Sequence, residues 1–198
     1  MPDGTLVWLN SGSRLSYNYQ YSTYDRVVNL EGEAFFYVKK DTQYPFIVKA
    51  GEVDVKVHGT AFNVSTYADE ENIMVALLRG KVSLLSATGQ NLLTYLSPNQ
   101  EAIVSKKNLS CRVESCDAEI EASWRHNLLK FDGAPVEEVW KKLERWYGVD
   151  ITLSNVDTLK SYWFTIKTES LTELLEMINK ISPIEYKLNG KEVTIRYK

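Results

Sequence analysis

Two histidines, two cysteines and one pair of closely spaced glutamates are the residues of this chain best suited to chemistry. His58 falls on the polar face of an alternating segment, and His126 lies in a connector. Neither has a histidine or carboxylate at ligand spacing, so neither metal binding nor acid–base work is expected of them. Cys111 and Cys116 could bridge in an oxidising compartment, or could be two free thiols. Sequence leaves both readings open. No second ligand pair accompanies them, so a metal is not expected. Glu31 and Glu33 share a side of one strand, as general acid/base pairs can, but a solvated strand face explains them as well. Ser11 and Ser13 lack the surroundings of a nucleophile elbow. The glycine-centred stretches lack the multi-glycine pattern and Lys-Ser/Thr of a phosphate loop. No cofactor, metal or catalytic residue is therefore expected, and the chain reads as a non-enzyme.

Aromatic residues offer a different kind of site. Tyr17, Tyr19 and Tyr21 alternate, with Tyr24 nearby. On a strand they would form one face, either a cross-strand ladder or a stacking platform for a sugar. The second reading makes the chain a carbohydrate-binding module of the cell envelope.

The elements that must hold these residues change character along the chain. Val53, Val55 and Val57 alternate with polar residues, as in a half-buried strand. Val28, Leu30, Gly32, Ala34, Phe36 and Val38 mark the apolar side of a longer strand with a glycine bend at its centre. Leu30-Glu31-Gly32, Val57-His58-Gly59 and Leu78-Arg79-Gly80 each precede an apolar pair. This loose repeat suggests stacked β coils or a twisted sandwich. An acidic, small-residue connector spans 117–127. Beyond it, Val136, Val139, Trp140, Leu143, Trp146 and Tyr147 form a helical stripe, with Pro135 at its start and Gly148 at its end. Ser170-Leu171-Thr172-Glu173 is a capping box opening a second helix, and Pro183 ends it. Strands are expected at 128–131, 150–153, 162–168, 184–188 and 192–197, the last two joined at Asn189-Gly190. The expectation is a mainly β domain over 1–116 and a small α+β domain over 128–198, ordered β-α-β-β-α-β-β. RNA-recognition domains share part of that order, but Tyr162–Lys167 lacks their basic glycine-containing strand motif.

Composition narrows the classes further. The chain has 198 residues, 44% of them hydrophobic and 25% charged, which suits a folded globular protein. Its formal charge of −3 makes general nucleic-acid binding unexpected. The longest apolar run is Ile73–Leu78, far short of the roughly 20 residues of a membrane span. Met1-Pro2-Asp3-Gly4 is polar, and no signal peptide is expected there. The chain reads either as a cytoplasmic protein or as a soluble piece of a longer one.

The wording of the sequence is more specific than its periodicity. Pro2-Asp3-Gly4-Thr5, Val7-Trp8-Leu9-Asn10-Ser11-Gly12-Ser13, Arg26–Val38, Pro45-Phe46-Ile47-Val48, Val57-His58-Gly59-Thr60-Ala61-Phe62-Asn63-Val64 and Leu78-Arg79-Gly80-Lys81-Val82 occur in order. Leu129-Lys130-Phe131-Asp132 and Leu143–Val149 follow. Over nearly its whole length the chain resembles the FecR-like anti-sigma regulators, in the form common in Bacteroidetes-type bacteria. It departs from the family pattern at Tyr17-Asn18, where Tyr-Pro is usual, and at Pro98-Asn99, where Pro-Gly is usual. The resemblance implies the periplasmic portion of a protein anchored by one inner-membrane helix, with a sigma factor bound through a cytoplasmic segment absent here. It further implies that 128–198 is a small domain shared with secretins and TonB-dependent receptor N-termini, receiving a signal from the signalling domain of such a receptor. Two strands are candidate docking edges: one with Tyr162, Trp163, Phe164 and Ile166, the other with Val193 and Ile195.

Overall fold

The computed structural model describes residues 1–21 and 25–198, and the chain divides into two compact units, Met1–Arg125 and His126–Lys198. Tyr24 lies outside the described residues.

The first unit is built from β1 (Leu6–Leu9), β2 (Arg14–Tyr17), β3 (Arg26–Tyr37), β4 (Phe46–Ala50), β5 (Val53–Val57) and β6 (Ala61–Thr66). Then come β7 (Asn72–Arg79), β8 (Val82–Ser86), β9 (Leu92–Leu96), β10 (Gln100–Ser105), β11 (Cys111–Ser115) and the short helix α1 (Ala118–Glu121). The strands form one sheet in the order β11-β10-β7-β6-β3-β4-β5-β8-β9, with β1 and β2 on β3. Its two ends approach each other, so the sheet is nearly closed.

The long strand β3 belongs to both wings of this sheet. Its first half pairs with β2 and β4, and its second half with β1 and β6. The apolar set read from alternation, Val28, Leu30, Ala34, Phe36 and Val38, is buried and faces one core. Phe36 stacks on Phe62 and tilts against Phe46, joining the wings. Stacked coils would pair in parallel at the repeat period. Among the described pairings of this unit only β3 and β4 run parallel, which fits a folded, twisted sheet instead.

The recurring glycines have specific reasons. Gly32 sits at the passage between wings with φ +88°, and a Cβ there would lie 2.8 Å from the Cα of Ser13. Gly80, at φ +101°, approaches Thr60 so closely that a Cβ would be 3.1 Å from its Cα. Both are backbone contacts that no side-chain rotation relieves.

The second unit contains β12 (Leu129–Pro135), α2 (Val136–Tyr147), β13 (Asp150–Ser154), β14 (Ser161–Ile166), α3 (Leu171–Ile181), β15 (Ile184–Asn189) and β16 (Glu192–Tyr197). β12 and β14 form a two-stranded ribbon, and β13-β16-β15 a three-stranded sheet. The local signals act as their chemistry dictates. Gly148 closes α2 in the left-handed conformation. Ser170 and Glu173 complete a capping box, with Glu173 N donating to Ser170 Oγ at 3.3 Å and Ser170 N to Glu173 Oε2 at 2.7 Å. Pro135 stands one position earlier than expected, as the N-cap of α2. Val139, Trp140 and Leu143 from α2 meet Leu174, Leu175 and Ile178 from α3 in one core with both sheets.

Candidate docking surface

Where each aromatic or apolar residue of the expected docking strands lies follows from pleating. On β14, Tyr162, Phe164 and Ile166 point one way and Trp163 and Thr165 the other. Tyr162 and Ile166 are buried, Phe164 is half-buried against Phe131 at 4.9 Å, and Trp163 is 67% exposed. Tyr162 belongs to a buried polar chain: its hydroxyl lies 3.0 Å from that of Tyr197, which accepts from Trp140 Nε1 at 2.7 Å. Burial pushes the Tyr197 hydroxyl far above its ordinary pKa. These groups fasten α2, β14 and β16 into one core, and they are not available to a partner.

The second expected edge is corrected by the topology. β16 lies between β13 and β15, so both its flanks are already paired. Val193 and Ile195 are buried on its inner face. The terminal position of β16 in the sequence suggested an edge, but its parallel pairing with β13 places it in the middle. That pairing involves segments roughly 40 residues apart, and no local signal announces it.

β14 differs. Among the described pairings it pairs only with β12, so one flank of its backbone is open. Trp163 is held on the outer face of the ribbon. Its indole lies across Gly133, where a Cβ would be 3.5–3.6 Å from the ring, beside the bulge between Asp132 and Ala134. A groove of about 330 Å³ runs beside the strand, bounded by residues 160–164 on one side and 181–183 on the other. Ile181, the last residue of α3, is 68% exposed at its rim, and Leu159 is exposed just before the strand. Sequence reasoning missed Lys160 and residues 181–183. Ile181 continues the apolar spacing of α3 and reads as core, but the helix ends there and leaves it outside.

The other sequence candidates are separated by the fold. Glu31 is exposed, whereas the Glu33 carboxylate accepts from Asn10 Nδ2 and Asn63 Nδ2, each at 2.7 Å. Glu33 thus ties β1, β3 and β6 together. β2 ends at Tyr17, and a turn with Tyr21 N donating to Asn18 O follows, so the three tyrosines do not share a strand face. Tyr19 is exposed while Tyr21 is buried, with its ring 5.2 Å from that of Tyr17. Cys111 and Cys116 are free; Cys111 opens β11 and Cys116 follows its last residue, Ser115. Five residue steps of largely extended chain separate them by about 16 Å, far beyond a disulfide's reach. Burial, reinforced by Glu101, Glu121 and Asp117, pushes the Cys116 thiol up to about 12. His58 Nδ1 lies 3.1 Å from the carbonyl of Asp41. Among the described residues no group of three or more His, Cys, Asp or Glu side chains is placed to hold a metal.

The motif residues at the N-terminus form a clasp. Asp3 accepts from Thr5 N and Thr5 Oγ1, each at 2.9 Å, and pairs with Arg26 at 3.3 Å with both side chains buried. Arg26 also donates to the carbonyl of Lys39 at 3.0 Å and to that of Tyr44. Burial alone would raise the Asp3 pKa, but the hydrogen bonds from Thr5 and Arg26 outweigh it and hold the carboxyl below its usual value.

The chain thus joins in sequence a rolled β unit and a small α+β unit in which β14 has one flank open among the described pairings. Comparison with known proteins supplies the family. Residues 1–83 match the FecR protein family, and residues 128–195 match the family described as FecR, C-terminal. Two crystal structures of a candidate anti-sigma factor from Parabacteroides distasonis ATCC 8503, at 1.65 and 2.50 Å resolution, are similar over the whole chain. Both are 32% identical, cover 100% of this chain and 92% of theirs, and have TM-scores of 0.87 and 0.86. None of the curated proteins matches the chain. The chain belongs to the FecR-like anti-sigma factor family.

Proposed function

We propose that this chain is the periplasmic sensing and transducing portion of a membrane-anchored FecR-like regulator. It has a signalling and not a catalytic role. The second unit binds the N-terminal signalling domain of a TonB-dependent outer-membrane receptor. The signal then reaches an extracytoplasmic-function sigma factor through a cytoplasmic segment beyond this chain. The observation that carries the reading is the open flank of β14 with Trp163 exposed beside it, within the region that matches the FecR C-terminal family. An open strand flank offers a row of main-chain donors and acceptors, and an exposed tryptophan offers the anchor most often dominant in interfaces. Among the described residues no helix is long and apolar enough to cross a membrane.

Calorimetric titration of the whole chain with the signalling domain of its cognate receptor tests the reading. Saturable binding that weakens about thirtyfold with Trp163→Ala is expected, a loss in the hot-spot range. No heat of binding with any receptor encoded beside the gene would refute it. The sugar-binding alternative gains nothing from a tyrosine set that the turn at 18–21 splits between surface and core.

A further inference from the structure

The groove beside β14 is not purely apolar. Trp163, Phe164, Ile181 and Pro183 supply hydrocarbon walls, but Lys160 and Ser182 bring a cation and a hydroxyl into the lining. Ser182 is 5% exposed and accepts from Lys160 Nζ at 2.8 Å. The same ammonium lies 5.2 Å above the ring of Tyr197. It is thereby fixed in place and half-buried. No acidic residue lines the groove, and among the described residues no carboxylate lies within ion-pair distance of Lys160. An ammonium carries three donors, of which the Ser182 contact uses one. A positioned cation without a counter-charge, at the side of an apolar groove, selects for an anion attached to an apolar group.

We infer that the groove recognises an apolar side chain with a neighbouring carboxylate, carried on an extended acidic segment of the partner that pairs along the open flank of β14. The inference rests on the docking reading above and adds the chemistry of the segment that docks. About 330 Å³ is the lower end of ligand-pocket sizes, suited to a side chain and not to a whole cofactor. In an extended segment, residues i and i+2 project to the same side roughly 7 Å apart. One can fill the space between Trp163 and Ile181 while the other reaches Lys160. A basic segment would set ammonium against ammonium, so the site also rejects by charge.

Short synthetic probes test this without a receptor. The whole chain, labelled with nitrogen-15, is titrated with three end-capped tetrapeptides that place the apolar and the variable residue at i and i+2: Leu-Thr-Glu-Thr, Leu-Thr-Gln-Thr and Leu-Thr-Lys-Thr. The acidic peptide should shift the amide signals of 160–164 and 181–183, with a midpoint at least tenfold below that of the glutamine peptide. The lysine peptide should leave those signals in place. Lys160→Gln should erase the tenfold preference, and Lys160→Arg should retain it. Absence of shifts in both segments, equal response to all three peptides, or an unchanged preference in Lys160→Gln would each overturn the inference. Failure of the receptor titration alongside peptide selectivity would remove the receptor reading and leave this one standing. Receptor binding without peptide selectivity would do the reverse.

Discussion

The two units answer the same problem, the closing of a sheet, in opposite ways. The first rolls eleven strands until its ends nearly meet and clamps the start of the chain with buried polar groups. The second divides five strands between a ribbon and a three-stranded sheet, relies on helix caps, and among the described pairings leaves one flank of β14 open. A closed sheet has few main-chain groups to offer, whereas a two-stranded ribbon must either be covered or present its edge. The contrast teaches a division of labour: the first unit ties Asp3, Arg26 and Glu33 into its structure, and the second keeps Trp163 and Lys160 beside an open strand flank.

The sharpest way to break that contrast is to attack the clasp. Asp3→Ala leaves the Arg26 guanidinium buried beside Phe46 without its counter-ion. Loss of one member of a buried pair costs about 3–5 kcal/mol. Hydrogen exchange should report this loss in β3 and β4 and leave α3 protected as before. The Asp3 carboxyl is held below its unfolded value, so its contribution is present above about pH 4 and disappears as the pH falls through the lower folded value. In the parent chain the first unit should therefore weaken below about pH 4, and Asp3→Asn should flatten that dependence.

Gly32→Ala is next in size. It combines a left-handed backbone with a Cβ 2.8 Å from the Cα of Ser13, at the point where β3 passes between wings. Strain of this kind costs roughly 3 kcal/mol. A fall in the denaturation midpoint confined to the first unit is the expected result, and an unchanged midpoint would deny that the glycine permits the fold of the sheet. In the second unit the comparable device is smaller. Ser170→Ala removes the acceptor for Glu173 N and half of the capping box, which costs about 1 kcal/mol. Faster amide exchange in the first turn of α3, without change in β3, would match.

Much of this contrast was legible in the sequence, and the parts that were not share a cause. The apolar side of β3, the two helix stripes, Gly148 and the Ser170–Glu173 box depend on residues within a few positions of one another, and each is where local spacing places it. The glycine repeat was visible, but its reason was not, because Gly32 meets Ser13 and Gly80 meets Thr60 across the fold. The tyrosine face failed because a turn at Asn18 ends β2 early. The departure at Pro98-Asn99 is benign for a local reason: Asn99 adopts φ +61°, the conformation a glycine would take there. At the proposed docking surface, Trp163 was named, whereas Val193 and Ile195 were assigned to an edge that β13 occupies. Strand order depends on pairings between distant segments, and alternation within a strand carries no trace of its neighbours.

The smallest expected effect on stability is also the most informative. Trp163 is two-thirds exposed, and its principal described seat is the backbone at Gly133, so Trp163→Ala removes little buried area from the second unit. Its stability should stay within about 0.5 kcal/mol of the parent, as for surface substitutions away from packed features. Tyr162→Ala, one residue away, empties a core position and breaks the hydroxyl contact with Tyr197. Removal of a large buried aromatic costs about 3–5 kcal/mol. Thermal melts of the two variants, followed by near-ultraviolet circular dichroism, separate the faces of one strand. A stable Trp163→Ala protein makes any later loss of partner binding a property of the surface alone. A Trp163→Ala protein as damaged as Tyr162→Ala would mean that the indole is part of the fold, and the functional contrast between the units would lose its main support.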